Sequence, residues 1–150
     1  MSTSKACSSS FFVLLAVVAA QCLFFAACGP APTAPTQYAA YSQTDLLLGT
    51  GTEAAATSTV EVRYTLWLHD SSKSDGKGLQ LETTGTASSS FALGSGVIEG
   101  WKRGVPGMRV GGLRRLVVPP ELAYGDTRKG KVPPNATLVF DIELVSVAVQ

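Results

Sequence analysis

Two long segments of the sequence alternate apolar and polar residues, and this period of two limits the possible folds more than any other feature. The segments are Val60–Leu68 and Thr137–Val149, and both are rich in β-branched and aromatic residues. Such alternation predicts strands with one face in the core and the other in water. Leu113–Val118 and Leu79–Thr83 indicate two further strands, the second of them short.

One stretch of the sequence has the spacing of a helix. Residues 97–105 place Ile98 and Trp101 on one side of a helical turn, although Gly100 costs about 1 kcal/mol relative to alanine. Several strands and one short helix predict an α+β domain, in which an antiparallel sheet packs on that helix.

The charged side chains are few and balanced. Of the 150 residues, 15% are charged and 45% are hydrophobic, and residues 1–27 contain only one charged side chain, Lys5. Beyond them, 12 − 1 = 11 basic and 11 acidic side chains remain. We expect no nucleic-acid partner, because phosphate binding needs a clustered basic excess. One histidine and three cysteines argue against a structural zinc site, and we expect neither a metal nor a cofactor.

The patterns of common catalytic sites are missing from the sequence. His69 lies in a polar loop without a neighbouring nucleophile, and Gly94-Ser95-Gly96 lacks the glycine spacing of a nucleophile elbow. No glycine-rich stretch is followed by the Lys-Ser or Lys-Thr pair of a phosphate-binding loop. An enzyme built from this chain must therefore work without a strong acid, a strong base or a metal.

The N-terminus has the layout of a secretory signal. Lys5 precedes the apolar run Phe11–Ala27, and small residues lead to Cys28. The end of the run resembles the bacterial lipobox, in which a cysteine is acylated and becomes the first residue of the mature chain. A retained transmembrane anchor and cleavage without a lipid are the alternatives. Gly29 stands where an aspartate usually marks inner-membrane retention, which favours the outer membrane.

The sequence accordingly divides into three parts. Residues 1–27 are predicted to be a signal peptide of the lipoprotein type, and residues 28–41 a lipidated N-terminus with a Pro/Ala/Thr-rich linker. Residues 42–150 are predicted to form one domain. This organisation places the domain in a bacterial cell envelope, attached by its lipid to the outer membrane and facing the periplasm.

Motifs spread along residues 42–150 resemble those of a known family. They are Val60–Leu68 with Asp75-Gly76-Lys77, Phe91-Ala92-Leu93-Gly94, Val97-Ile98-Glu99-Gly100-Trp101, Gly104-Val105, Met108-Arg109-Val110-Gly111, Pro120–Gly125 and Val132–Leu144. In their order and spacing they resemble the FKBP-type peptidyl-prolyl cis-trans isomerases, which are the macrolide-binding immunophilins. The resemblance implies an antiparallel sheet of five to six strands wrapped around one short helix.

The resemblance also implies a binding site for proline-containing polypeptides and for macrolide ligands. The implied catalytic residues are four aromatic ones: Tyr64, Trp101, Tyr124 and Phe140. The implied substrate-binding residues are Leu79, Gln80, Phe91, Val97, Ile98 and Val132. In this arrangement the proline ring lies on Trp101, while the Ile98 N–H and the Tyr124 hydroxyl bind substrate carbonyls.

Departures from the family pattern leave more than one function open. The family places an aspartate after the Asp-Gly-Lys turn, where this sequence aligns Leu79 and Gln80, so we expect that carboxylate to be lost. Ser89 replaces a family phenylalanine near Phe91. An isomerase acting on exported proteins is the favoured function. The alternatives are a proline-recognising binding or chaperone module with little turnover, and a purely structural lipoprotein.

Overall fold

Six antiparallel strands and one short helix make up the computed structural model, which describes residues 38–148. The strands are β1 (Ser42–Leu47), β2 (Thr59–His69), β3 (Lys77–Thr83), β4 (Ser89–Ala92), β5 (Leu113–Val118) and β6 (Leu138–Ala148), and the helix between β4 and β5 is α1 (Glu99–Gly104). The predicted signal peptide, the predicted lipid site at Cys28 and most of the predicted linker lie outside the described residues. Within residues 38–148, no helix is long and apolar enough to cross a membrane.

The strand order places β2 between three neighbours. Across the sheet the strands follow the order β1-β5-β6-β2-β3. The first part of β2, from Thr59 to Val62, pairs with β4, and the part from Thr65 to His69 pairs with β3. Because β6 occupies the opposite edge of β2 along almost its whole length, β3 and β4 follow one another along the same edge.

The predicted α+β class and its antiparallel sheet are confirmed, and so are the four predicted strands. The two strands that the sequence did not predict are β1 and β4. Every residue of β1 is exposed, so its sequence has no alternation to reveal it. The other strand, β4, has only four residues, of which two are serines.

The helix is shorter than the predicted range of residues 97–105. It begins at Glu99, because Ile98 keeps an extended backbone with φ −65° and ψ 156°. Val97 and Ile98 therefore belong to the segment that leads into the helix. At the other end the helix stops at Gly104, and the Val105 N–H bonds to the Trp101 carbonyl.

Two glycines allow the helix to lie very close to the sheet. A Cβ on Gly100 would stand 2.4 Å from a methyl carbon of Val118, and a Cβ on Gly104 would stand 2.5 Å from a methyl carbon of Leu116. Real side chains do not approach this closely, so larger residues would push the helix away from β5. The glycines thereby fix the depth at which Trp101, between them, enters the core.

The outer face of the sheet carries a group of charges centred on Asp141. Its carboxylate accepts hydrogen bonds of 2.7 and 3.0 Å from Arg115 and one of 2.6 Å from Lys77. The Lys77 Nζ also lies 4.0 Å from the centre of the Trp67 ring, within the range of a cation–π contact. Burial raises the pKa of Asp141, but the two cations and their hydrogen bonds outweigh it, so the net pKa is lowered.

We expect Asp141→Asn to reduce the free energy of unfolding at pH 7 by about 2 kcal/mol, because two half-buried cations lose their shared partner. The folded pKa of Asp141 lies below its ordinary value of 3.8, so this stabilisation is complete above that value and is lost as the pH falls through the folded pKa. Urea unfolding between pH 7 and pH 2 should show the two proteins converging in acid. Glu143→Gln is the control: Glu143 lies on β6 like Asp141 but forms an exposed ion pair with Arg63. This substitution should reduce the free energy of unfolding by less than about 1 kcal/mol. A constant difference at all pH values would contradict the prediction.

Candidate functional site

Trp101 lies at the centre of a group of aromatic rings. The centres of the Tyr64, Phe91 and Phe140 rings lie 5.4, 5.1 and 5.5 Å from that of the indole. All three meet the indole steeply, at interplanar angles of 87°, 67° and 82°. Edge-to-face contacts of this kind stabilise the pairs beyond the area they bury and fix the ring planes. The indole is only 4% exposed, so the rings hold it in one position.

A cavity of about 530 Å³ opens over this aromatic group. Seven of the predicted site residues line it: Tyr64, Phe91, Val97, Ile98, Trp101, Tyr124 and Phe140. They come from β2, β4, the helix with the segment before it, the turn after β5, and β6. The structure thus brings these seven together from distant parts of the sequence.

The Ile98 N–H and the Tyr124 hydroxyl are among the hydrogen-bond donors at this cavity that have no protein acceptor within residues 38–148. The extended backbone of Ile98 leaves its N–H outside the helical hydrogen-bond pattern, although its carbonyl accepts from Trp101 and Lys102. The hydroxyl of Tyr124 makes no hydrogen bond to another described group. Burial raises the pKa of Tyr124, and the negative charge of Glu82 raises it further, so the hydroxyl keeps its proton. An incoming polar group can therefore accept from both donors.

Leu79 and Gln80, which were predicted to line the site, do not lie at the cavity. Leu79 is 68% exposed, and Gln80 pairs with Trp67, whose ring lies on the outer face beneath Lys77. A β-bulge separates the Trp67–Gln80 pair from the next pair, Leu66–Glu82, and changes the face that β3 presents. For this reason the structure does not bring these two predicted residues to the cavity.

The carboxylate that was expected to be lost is supplied by Glu82, which the sequence analysis missed. Glu82 pairs with the buried Leu66 on the inner face and lines the cavity. Its Oε1 accepts a hydrogen bond of 2.6 Å from the Tyr64 hydroxyl. Burial, this hydrogen bond and the carboxylate charge all raise the pKa of Tyr64. Regular alternation would place Gln80 and Glu82 on the same face of β3. The bulge between them leaves Gln80 on the outer face and Glu82 on the inner face.

Val132, the remaining predicted site residue, lines a second cavity of about 430 Å³ beside the first. Four residues border both cavities: Leu66, Glu82, Tyr124 and Lys129. The buried Leu81, next to Glu82, also lines the second cavity. The bulge in β3 therefore turns two successive side chains inwards.

Comparison with known proteins agrees with the fold. The sequence model of the family described as FKBP-type peptidyl-prolyl cis-trans isomerase matches residues 51–145. A probable FK506-binding protein of Corynebacterium glutamicum is 38% identical over 109 residues, covering 68% of this chain and 82% of that protein. The FK506-binding protein of Neisseria meningitidis serogroup A is 39% identical over 104 residues, covering 69% and 92%.

Solved structures and longer relatives extend the comparison. A crystal structure of a peptidyl-prolyl cis-trans isomerase from Pseudomonas syringae is similar at a TM-score of 0.60 and 37% identity, covering 73% of this chain and 76% of that one. The FK506-binding protein 4 of Mycosarcoma maydis is 57% identical over 58 residues, but the match covers 38% of this chain and only 16% of that longer protein.

The chain belongs to the family of FKBP-type peptidyl-prolyl cis-trans isomerases. The resemblance seen in the sequence motifs is confirmed, and residues 51–145 form an isomerase domain of that family.

We expect Glu82→Gln to lower the turnover of a proline peptide by about 3- to 10-fold, because the amide keeps the size but removes the charge at the cavity. Gln80→Asp is the matched control: it adds a carboxylate two residues away on the outer face and should leave turnover unchanged. Steady-state constants for both variants and the parent, measured on one peptide, check this. An equal loss in the two variants, or a gain from Gln80→Asp alone, would contradict the assignment of Glu82 to the site.

Proposed function

We propose that this protein accelerates the cis-trans isomerisation of X–Pro bonds in exported proteins, and that the cavity over Trp101 is where the reaction takes place. The observation that carries the proposal is the cavity itself, which is lined by fixed aromatic rings and by Ile98 and Tyr124, whose N–H and hydroxyl have no protein acceptor among the described residues. The activity requires no acid, base or metal, in keeping with the residues that the chain offers.

The chemistry needs only a change of conformation in the substrate. Rotation about an X–Pro bond is slow because it interrupts amide resonance, at a barrier of about 18–20 kcal/mol. A site lowers this barrier when it binds the twisted bond more tightly than either planar isomer. The twisted carbonyl has less charge separation than the planar one, so a cavity walled by rings favours it. The rings around Trp101 supply such a wall, with the proline ring on the indole.

The polar groups of the cavity have separate tasks in this proposal. The Ile98 N–H binds the substrate carbonyl on the C-terminal side of the proline, and the Tyr124 hydroxyl binds another substrate carbonyl. The Tyr64 hydroxyl already donates its only proton to Glu82, so Tyr64 acts as a wall. Each neutral hydrogen bond contributes about 1 kcal/mol, and their fixed placement matters more than the strength of any one.

Catalysis is favoured over a binding or chaperone module with little turnover. That alternative depended on the expected loss of a carboxylate and on Ser89 in place of a family phenylalanine. Glu82 removes the first of these grounds, because it supplies a carboxylate at the cavity. The same cavity is proposed to take macrolide ligands, since relatives of this chain are named FK506-binding proteins.

Trp101→Leu should lower kcat/KM for a proline peptide at least about 10-fold, because the floor that orients the proline ring is lost while much of the apolar volume remains. A protease-coupled assay on the purified protein measures this, with circular dichroism to confirm folding. Trp67→Leu is the matched control, since that tryptophan lies on the outer face beneath Lys77 and should retain the parent activity. Parent-like turnover in a folded Trp101→Leu variant would remove the cavity from the mechanism.

We also propose that the domain is attached to the outer membrane through a lipid on Cys28, which supports action on proteins in the periplasm. The support is the sequence before the domain: an apolar run, a cysteine after small residues, and a proline-rich spacer.

Cys28→Ser should leave an unacylated precursor or release the protein from membranes, because stable attachment depends on the lipid. Membrane fractionation and mass spectrometry of the mature N-terminus check this. Cys22→Ser, within the apolar run, is the control and should leave both the attachment and the mass of the mature protein unchanged. A chain that begins at Met1, or an unmodified Cys28 at the mature N-terminus, would contradict the proposal.

A further inference from the structure

The second cavity lies beneath a short basic hairpin. Lys129 and Val132 exchange two backbone hydrogen bonds, of 3.1 and 2.9 Å, and so close a two-residue turn. Gly130, the first turn residue, has a φ of 56°, the left-handed backbone that such tight hairpin turns need. The turn holds Lys129 and Lys131 at the rim of the second cavity, and Lys129 also borders the first.

The two lysines are free to bind an anion. Neither forms an ion pair among residues 38–148, whereas Lys102, the other lysine at the first cavity, is paired with Glu99. Glu82 is the carboxylate that borders both cavities. It accepts the hydrogen bond of the Tyr64 hydroxyl and makes no ion pair with Lys129. The rim of the second cavity thus carries two unpaired cations against one engaged carboxylate.

The floor of the second cavity is apolar. It is formed by Leu66, Leu81 and Val132, each less than 10% exposed. A side chain that fits this site has an aliphatic stem to lie on the floor and an anionic end to meet the rim. Glutamate has both.

The position of this cavity decides which substrate residue enters it. In the proposed function, the Ile98 N–H holds the substrate on the C-terminal side of the proline, and Ile98 lines the first cavity but not the second. Tyr124 and Lys129 border both, so the chain on the N-terminal side of the proline passes them towards the second cavity.

We infer that Lys129 and Lys131 make this protein selective for substrates with an acidic residue, above all glutamate, immediately before the proline. The inference rests on the proposed isomerase function and names a substrate class for it. A substrate carboxylate and the lysine ammonium groups at the rim attract each other over several ångströms, and salt weakens that attraction.

The test compares three peptides that differ only in the residue before proline, namely glutamate, leucine and lysine. In low salt, kcat/KM for the glutamate peptide should exceed that for the lysine peptide by about 5-fold or more, and about 0.5 M salt should remove most of the difference. Lys129→Gln and Lys131→Gln should each reduce this ratio by about 2- to 3-fold, while Lys129→Arg should keep it. Lys73→Gln, which removes the same charge from a loop that borders neither cavity, should leave the ratio unchanged.

The outcomes separate this inference from the function on which it rests. Turnover of the leucine peptide with equal rates for glutamate and lysine would overturn the selectivity and leave the isomerase function intact. So would a ratio that falls as much in Lys73→Gln as in the rim variants. Fluorescence anisotropy with labelled peptides makes the same comparison for binding, should turnover be absent. A protein that neither turns over nor binds any of the three would overturn both.

Discussion

The close contact between the helix and β5 is the constraint on which the rest of the structure depends. Gly100 and Gly104 present bare backbone to Val118 and Leu116, at distances where any side chain would collide. The helix has only six residues and would be marginal by itself, so its position comes from this packing rather than from its own hydrogen bonds. Because the helix lies so deep, Trp101 reaches the three rings that surround it, and Ile98, the extended residue before the helix, lines the cavity.

The site combines rigid aromatic rings with hydrogen-bond donors that have no protein acceptor among the described residues. The aromatic rings are locked by steep mutual contacts, and Tyr64 is further held by its bond to Glu82. Against this fixed background, the Ile98 N–H and the Tyr124 hydroxyl remain available. The proposed mechanism needs only the preferential binding of a twisted bond, and a rigid site suits it because no group has to reorganise or titrate during the rotation.

Much of this could be predicted from the sequence, and the failures have physical causes. Alternation identified β2, β5 and β6 because each has one buried face, whereas β1 is exposed throughout and carries no such signal. Motifs of fixed spacing indicate seven residues that the structure brings together around one cavity. The family resemblance aligns Gln80, rather than Glu82, with the family aspartate, and alternation cannot correct this register because it assigns faces only while a strand is regular. The bulge in β3 adds a residue to the ladder, and sequence periodicity does not show where that happens.

The strand order also keeps β1, where the described chain enters the sheet, apart from the two cavities. β1 and β5 contribute no residue to either cavity, and β1 is the edge strand through which the described chain joins the sheet. The sequence before β1 therefore connects to a strand that lines neither cavity, and a change in its length does not alter the residues around the cavities. The span of a flexible spacer grows roughly with the square root of its length, and that of a proline-rich one almost in proportion. With the attachment through Cys28 that is proposed above, the distance over which the domain searches for substrates can change in evolution while the geometry of the two cavities stays the same.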